Sequence, residues 1–207
     1  MLDTIIPKIR GFLFNPGETF RNSRTDETRA VVSYFGVLLL FFAGLYAAFD
    51  FLLYFLLYVL STATGSTQAM SAGNSAYMPL AMVFVIPLAA FVGIPILGSL
   101  IMLVFSLWTH LWVYLLGGRK GFSQTLHALL YSLTPNLLLG WIPIVGMFAS
   151  LWTLVLMFFG IREFQELDDG RTIGVILLSV FLPMVILVIL LILAIMAMAS
   201  PGGSFQP

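Results

Sequence analysis

From Ala30 to Leu60 the chain carries a single charged side chain, Asp50. A run of about 30 apolar residues makes about 45 Å of helix, whereas about 20 residues span a hydrocarbon core. No other feature restricts the fold as strongly. Residues 79–116 form a second, longer run, and residues 144–161 and 172–199 add two more. In lipid the backbone must satisfy its own hydrogen bonds, so these runs predict helices. Apolar residues are 60% of the 207 and charged residues 9%, against about a quarter charged in a soluble domain. Too little polar surface remains to cover a water-soluble globule. Nine basic residues balance nine acidic ones, so nucleic-acid binding has no electrostatic basis. The absence of cysteine removes disulfides, thiolate metal sites and thiol nucleophiles together. No Gly-rich phosphate loop, Ser/His/Asp set or metal-spaced cluster is present, so the expectation is no catalytic residue, no cofactor, no metal and no enzyme.

Residues 1–29 hold five of the nine basic residues. Leu2, Ile5, Ile6, Ile9, Phe12 and Leu13 follow helical spacing with Lys8 and Arg10 beside them, which predicts a short amphipathic helix in the headgroup layer. The alternative is a loosely ordered leader. Asp3 or Thr4 as cap would put Pro7 in the first turn, where proline is tolerated, and Asn15-Pro16-Gly17 ends the helix. Pro7, Lys8 and Arg10 break any signal-peptide core, so the first span is expected to act as its own targeting signal. Thr25-Asp26-Glu27 supplies a capping hydroxyl and first-turn acids for the first long helix. On that helix Gly36, Gly44 and Ala48 share a face open to close helix approach. Residues 61–77 are small, polar and uncharged, and read as a loop. The second block is expected to be one helix loosened at Pro87 and Pro95, with Trp108 and Trp112 in an aromatic belt near its inner end. Gly117-Gly118 ends it, Arg119 and Lys120 fill the turn, and Ser123 caps a short helix over residues 124–139 that contains Pro135. Gly140-Trp141-Ile142-Pro143 leads into the span of residues 144–161. Residues 162–171 are strongly charged and expected in water. The last span, residues 172–199, is interrupted by Pro183.

With five spans, every lysine and arginine falls on one side: in the leader, in residues 117–122 and in residues 162–171. The intervening segments and the tail carry none. The positive-inside rule then places the leader in the cytoplasm and the tail outside. Splitting the second block would put Arg119, Lys120, Arg162 and Arg171 outside. The expected fold is therefore an all-α integral membrane protein: a five-transmembrane-helix bundle with a short N-terminal interfacial amphipathic helix. Its parts are a cytoplasmic leader (1–29), a membrane domain (30–199) and an extracytoplasmic tail (200–207), in the cell membrane.

Gly117-Gly118, Ser123-Gln124-Thr125-Leu126, Tyr131-Ser132-Leu133-Thr134-Pro135 and Ile142-Pro143 resemble the Yip family, the Ypt-interacting membrane proteins. Leu151-Trp152-Thr153-Leu154-Val155-Leu156, Gly160-Ile161-Arg162-Glu163, Gly170-Arg171, and Asn15-Pro16 with Thr19-Phe20 extend the likeness over nearly the whole chain, towards prokaryotic members. The resemblance implies five spans and a cytoplasmic amino end, and makes Gly117, Gly118, Tyr131, Pro135 and Pro143 structural motif positions. Eukaryotic members are associated with small Rab-type GTPases and with shaping or trafficking of internal membranes. They carry a longer leader with an acidic, Gly-Pro-containing motif. This leader has only Asn15-Pro16-Gly17, so small-GTPase binding is not carried over.

An ionisable residue inside a membrane is a functional candidate by default. Asp50 reads either as an ion- or proton-coupling site or, about 30 Å along its helix from Ala30, as a hydrated residue at the outer headgroups; the second is preferred. His110 and His127 lie about 10 Å or less inside the cytoplasmic face, on helices joined by one turn. They form a possible metal or pH-sensing pair, but two ligands without carboxylate support make a poor metal site, and bonding to a nearby hydroxyl or backbone group is preferred. The expected role is a membrane-organising, scaffold or assembly factor working through helix–helix and membrane-surface contacts. Its partners would be lipids, other copies or other membrane proteins. The alternative is a small transporter or channel, suggested by the broken third helix and the prolines of the second block.

Overall fold

The computed structural model describes residues 2–63 and 77–199, and among these every regular element is helical. Most of the expected loop at residues 61–77, and the tail at 200–207, lie outside the described residues. Two short helices, α1 (Leu2–Phe14) and α2 (Pro16–Asn22), precede two long ones, α3 (Thr28–Ala63) and α4 (Tyr77–Leu115). A broken pair follows, α5 (Phe122–Ser132) and α6 (Thr134–Leu139), then α7 (Pro143–Gln165). The chain ends in α8 (Asp169–Ile176), a π turn (Leu177–Phe181) and α9 (Leu182–Ala199). Four stretches among the described residues are long and apolar enough to cross a membrane: Thr28–Ala63, Leu80–Leu115, Pro143–Gln165 and Asp169–Met196.

α3 and α4 are unbroken, and Pro87 and Pro95 sit within α4 without ending it. They pack as an antiparallel pair. Leu39 meets the Gly98 position, Gly44 faces the Phe91 ring, and Phe51 packs on Phe84 with ring centroids 5.7 Å apart. Gly44 thus serves close approach as expected. Gly36 does not, since nothing lies within 4 Å of a side chain built there.

α5 and α6 form the centre. Thr125, Ala128, Leu129, Tyr131, Ser132 and Thr134 are all buried. The break between the two helices has a local cause. Pro135 has no N–H for the Tyr131 carbonyl four residues back, and the Thr134 hydroxyl donates to that carbonyl instead, at 2.6 Å. Around Tyr131 an aromatic core gathers four segments: Phe12 at 4.7 Å, Tyr34 at 5.2 Å and Phe164 at 6.5 Å between ring centroids, with Phe20 against Phe12 at 4.7 Å. Each such pair adds about 0.5–1.5 kcal/mol beyond area burial.

Several local expectations are corrected. α1 begins at Leu2, so Pro7 lies in its interior rather than its first turn. α1 also does not simply float on the surface: Ile5 and Phe12 are buried against the bundle. Thr25 is not the start of α3, which begins at Thr28. Ser123 is not a cap; Gly121 holds that position, and Ser123 lies inside α5. Residues 162–171 are not all in water. Phe164, Gln165 and Leu167 are buried, because α7 runs one turn further than its apolar stretch and keeps its inward stripe. Trp108 is not merely a belt residue, since its indole N–H donates to the Ser179 carbonyl at 3.0 Å.

Candidate functional site

The charged residues cluster because three separate segments meet at one end of the bundle. Gly117 makes this possible. Its φ of +103° turns the chain sharply off α4, and a Cβ there would lie 2.9 Å from the Arg171 guanidinium. Beside it, a side chain on Gly118 would press on Val113 and stand 3.1 Å from Gln165 Oε1. The Gly117-Gly118 motif therefore lets the turn lie flat against the end of α7.

Gln165 stitches that contact. Its Oε1 accepts from the Lys120 backbone N–H at 3.2 Å, and its Nε2 donates to the Gly121 carbonyl and to Thr125 Oγ1, each at 2.9 Å. Thr125 Oγ1 is in turn 2.8 Å from His110 Nδ1. Glu166 forms the outer half of the same joint. It accepts from Lys120 Nζ at 2.5 Å and pairs with Arg24 of the leader. It does so from a left-handed backbone conformation, φ 53°, that ends α7. The Lys120 hydrogen bond, reinforced by Arg24, holds the Glu166 carboxyl below its usual range. Arg21 pairs with Glu163 at 3.8 Å, Arg162 with Asp169 at 3.0 Å and Arg171 with Asp168 at 3.1 Å.

The leader is tied down on the other side. Lys8 pairs with Asp26, donates to Tyr131 Oη at 2.9 Å and lies 5.1 Å from the Tyr131 ring centroid. Tyr131 Oη donates to Asp26 Oδ2 at 2.5 Å. Tyr34 Oη lies 3.0 Å from Thr134 Oγ1 deeper in the core. A cavity of about 290 Å³ opens beside this group between α1 and α3, lined by Lys8, Asp26, Ser33 and Tyr34 among others.

The two histidines share a helix neighbourhood but not a site. His110 bonds Thr125, whereas His127 Nε2 bonds Thr28 Oγ1 at 3.0 Å and Ser123 Oγ at 3.2 Å. Each therefore meets a hydroxyl. Among the described residues no group of three or more His, Cys, Asp or Glu side chains is arranged to hold a metal. Asp50 is half-buried on α3, away from this end, and has no ion pair among the described residues. Pro135 and Pro143 both sit in first turns, of α6 and α7, where proline is tolerated. Gln165 was not singled out from sequence, and Asp26 and Thr125 were read only as a first-turn acid and a motif position, not as members of this joint. For Gln165 a signal existed: it continues the buried stripe Met157, Ile161, Phe164 at helical spacing.

Long apolar helices gathered under a cap of ion pairs define a multi-pass membrane protein. The chain belongs to the Yip1 domain family, whose model matches residues 10–195. No curated protein and no solved structure matches it.

Proposed function

We propose that this Yip1-family protein is a membrane-organising, scaffold or assembly factor rather than an enzyme, acting through helix–helix and membrane-surface contacts. One observation carries the reading: the polar chemistry is spent internally while the apolar faces are left open. The charged side chains of the leader, the 117–122 turn and the 162–171 segment largely pair with one another. By contrast α3, α4 and α9 expose apolar side chains along most of their length, among them Leu52, Leu56, Leu88, Leu100, Leu187 and Leu190. Such surface in a bilayer meets lipid or another membrane helix.

In this reading the bundle crosses the membrane five times, with α5 and α6 together as the third crossing. The Lys120–Glu166 pair and the length of α7 support it. α7 has 23 residues, about 34 Å; its last turn meets the 117–122 turn, so its first residue is far from that turn. The basic cap faces the cytoplasm of a plasma membrane, with the carboxyl end outside.

The test is purification of the full chain in mild detergent after in-cell crosslinking. A stable homo-oligomer or a defined co-purifying membrane protein is expected. A monomer without crosslinked neighbours would sink the proposal, and solute flux in proteoliposomes lost on Asp50→Asn would replace it with transport.

A further inference from the structure

We propose that α1 and α2 form a wedge inserted into a single leaflet, with the tip at Phe14 among the acyl chains rather than at the headgroups. The inference rests on the long helices being spans, and deepens the membrane-surface part of the proposed function. α2 runs alongside α7 towards its charged end. The Gly17 position lies 3.8 Å from the Phe159 ring, Phe20 packs on Phe164 with centroids 5.8 Å apart, and Arg21 and Arg24 pair with Glu163 and Glu166. α2 therefore starts at its deeper end. α1 descends in the opposite sense. Lys8 is held at the charged end by Asp26, Phe12 packs on Tyr131, and Leu13 and Phe14 reach a cleft of about 580 Å³ shared with Pro135, Trp152 and Val155. Val155 precedes Arg162 by seven residues, about 10 Å of helix. Phe14 stands at that level and is 81% exposed.

The tip pairs part of its backbone internally, and the exposed Glu18 carboxylate sits further along α2, towards the charged end. The Asn15 N–H donates to the Gly11 carbonyl at 2.8 Å. The Asn15 carbonyl accepts from the Thr19 N–H at 3.1 Å and the Thr19 hydroxyl at 2.7 Å. The Asn15 side-chain amide donates to Glu18 at 2.5 Å, and Pro16 has no N–H to satisfy. The two helices can cross this tightly because residue 11 is glycine: a Cβ there would lie 2.5 Å from Thr19 Oγ1. The occupant of the surface around Phe14, and of the cleft it roofs, is the acyl region of that leaflet's phospholipids. Insertion on one side adds area to one leaflet alone, which favours membrane curved towards that side.

The chain has no cysteine, so a nitroxide placed at Phe14→Cys, Val155→Cys or Thr25→Cys reports from one position. In phosphatidylcholine–phosphatidylglycerol liposomes, collision with oxygen relative to a water-soluble nickel chelate measures depth. The Phe14 label is expected to match Val155 and to exceed Thr25 several-fold; a Phe14 label that tracks Thr25 overturns the wedge. A Val155 label that tracks Thr25 would instead remove the span assignment beneath it, a distinguishable failure. In a second arm the unsubstituted chain should be enriched several-fold in small over large vesicles, and Phe14→Asn should lose that enrichment. Equal distribution of the unsubstituted chain between vesicle sizes overturns the wedge as a curvature device.

Discussion

The indole N–H of Trp108 donates at 3.0 Å to the backbone carbonyl of Ser179, the carbonyl that Pro183 leaves without its helical partner. The π turn at Leu177–Phe181 spans this carbonyl and leads directly into α9. Pro135 is handled the same way, with the Thr134 hydroxyl in place of the indole.

Trp108→Phe keeps a ring but strands the Ser179 carbonyl in an apolar setting, a cost of about 1–3 kcal/mol. In a Pro183→Ala background the helix can supply its own donor, so the same replacement should cost less. A double-mutant cycle by thermal unfolding in detergent measures the difference, and an equal cost in both backgrounds would refute the link.

Gly117→Ala should destabilise by about 1–3 kcal/mol through backbone strain at positive φ, with the Arg171 contact adding to it. Gly36→Ala, in open space on α3, should be neutral or slightly stabilising by helix propensity. Unfolding midpoints of the two variants check the contrast.

Acid should loosen the cap through Glu166. Its folded-state carboxyl is held below the ordinary value by Lys120 and Arg24. The stabilisation is therefore present above the unfolded carboxylate value and lost as pH falls through the lowered folded one. Glu166→Gln should flatten the acid side of a stability–pH profile. An unchanged acid slope in that variant would assign the loss to another group.

Gln165→Leu keeps the volume but removes three hydrogen bonds, a buried one to Thr125 and part-buried ones to the Lys120 N–H and the Gly121 carbonyl. A loss of about 1–3 kcal/mol is expected, together with faster hydrogen exchange of the Lys120 amide. Slow exchange at Lys120 in the variant would show that the turn is held by other contacts.

Single cysteines at Arg119 and Trp141 test the number of crossings. In sealed vesicles of one orientation an impermeant maleimide should label them from opposite sides. Labelling from the same side would mean that α5 and α6 enter and leave by one face.

The apolar blocks, the one-sided distribution of basic residues, the Asn15-Pro16 break and the Gly117-Gly118 turn could all be read from the chain, because each depends on local composition or backbone chemistry. The continuity of α4 through Pro87 and Pro95 followed from placing the arginines and lysines on one side. The docking of the leader could not be read in this way. Its spacing is that of an interfacial helix, and only contact with Tyr131, more than a hundred positions away, turns Phe12 inward and draws Lys8 towards Tyr131 Oη. Gln165 was hidden by its charged neighbours, and Ser123 by its suitability as a cap.

By itself the sequence determined which segments leave water, where the basic side chains gather and where prolines and glycines interrupt or turn the backbone. These are free energies of transfer and of backbone conformation, set residue by residue. Only the tertiary structure decided who satisfies polar groups that those interruptions expose: Trp108 for the Ser179 carbonyl and Gln165 for the Lys120 amide. A buried donor or acceptor must find a partner, but its partner is chosen by the packing of distant helices, within hydrogen-bond reach of a few tenths of an ångström.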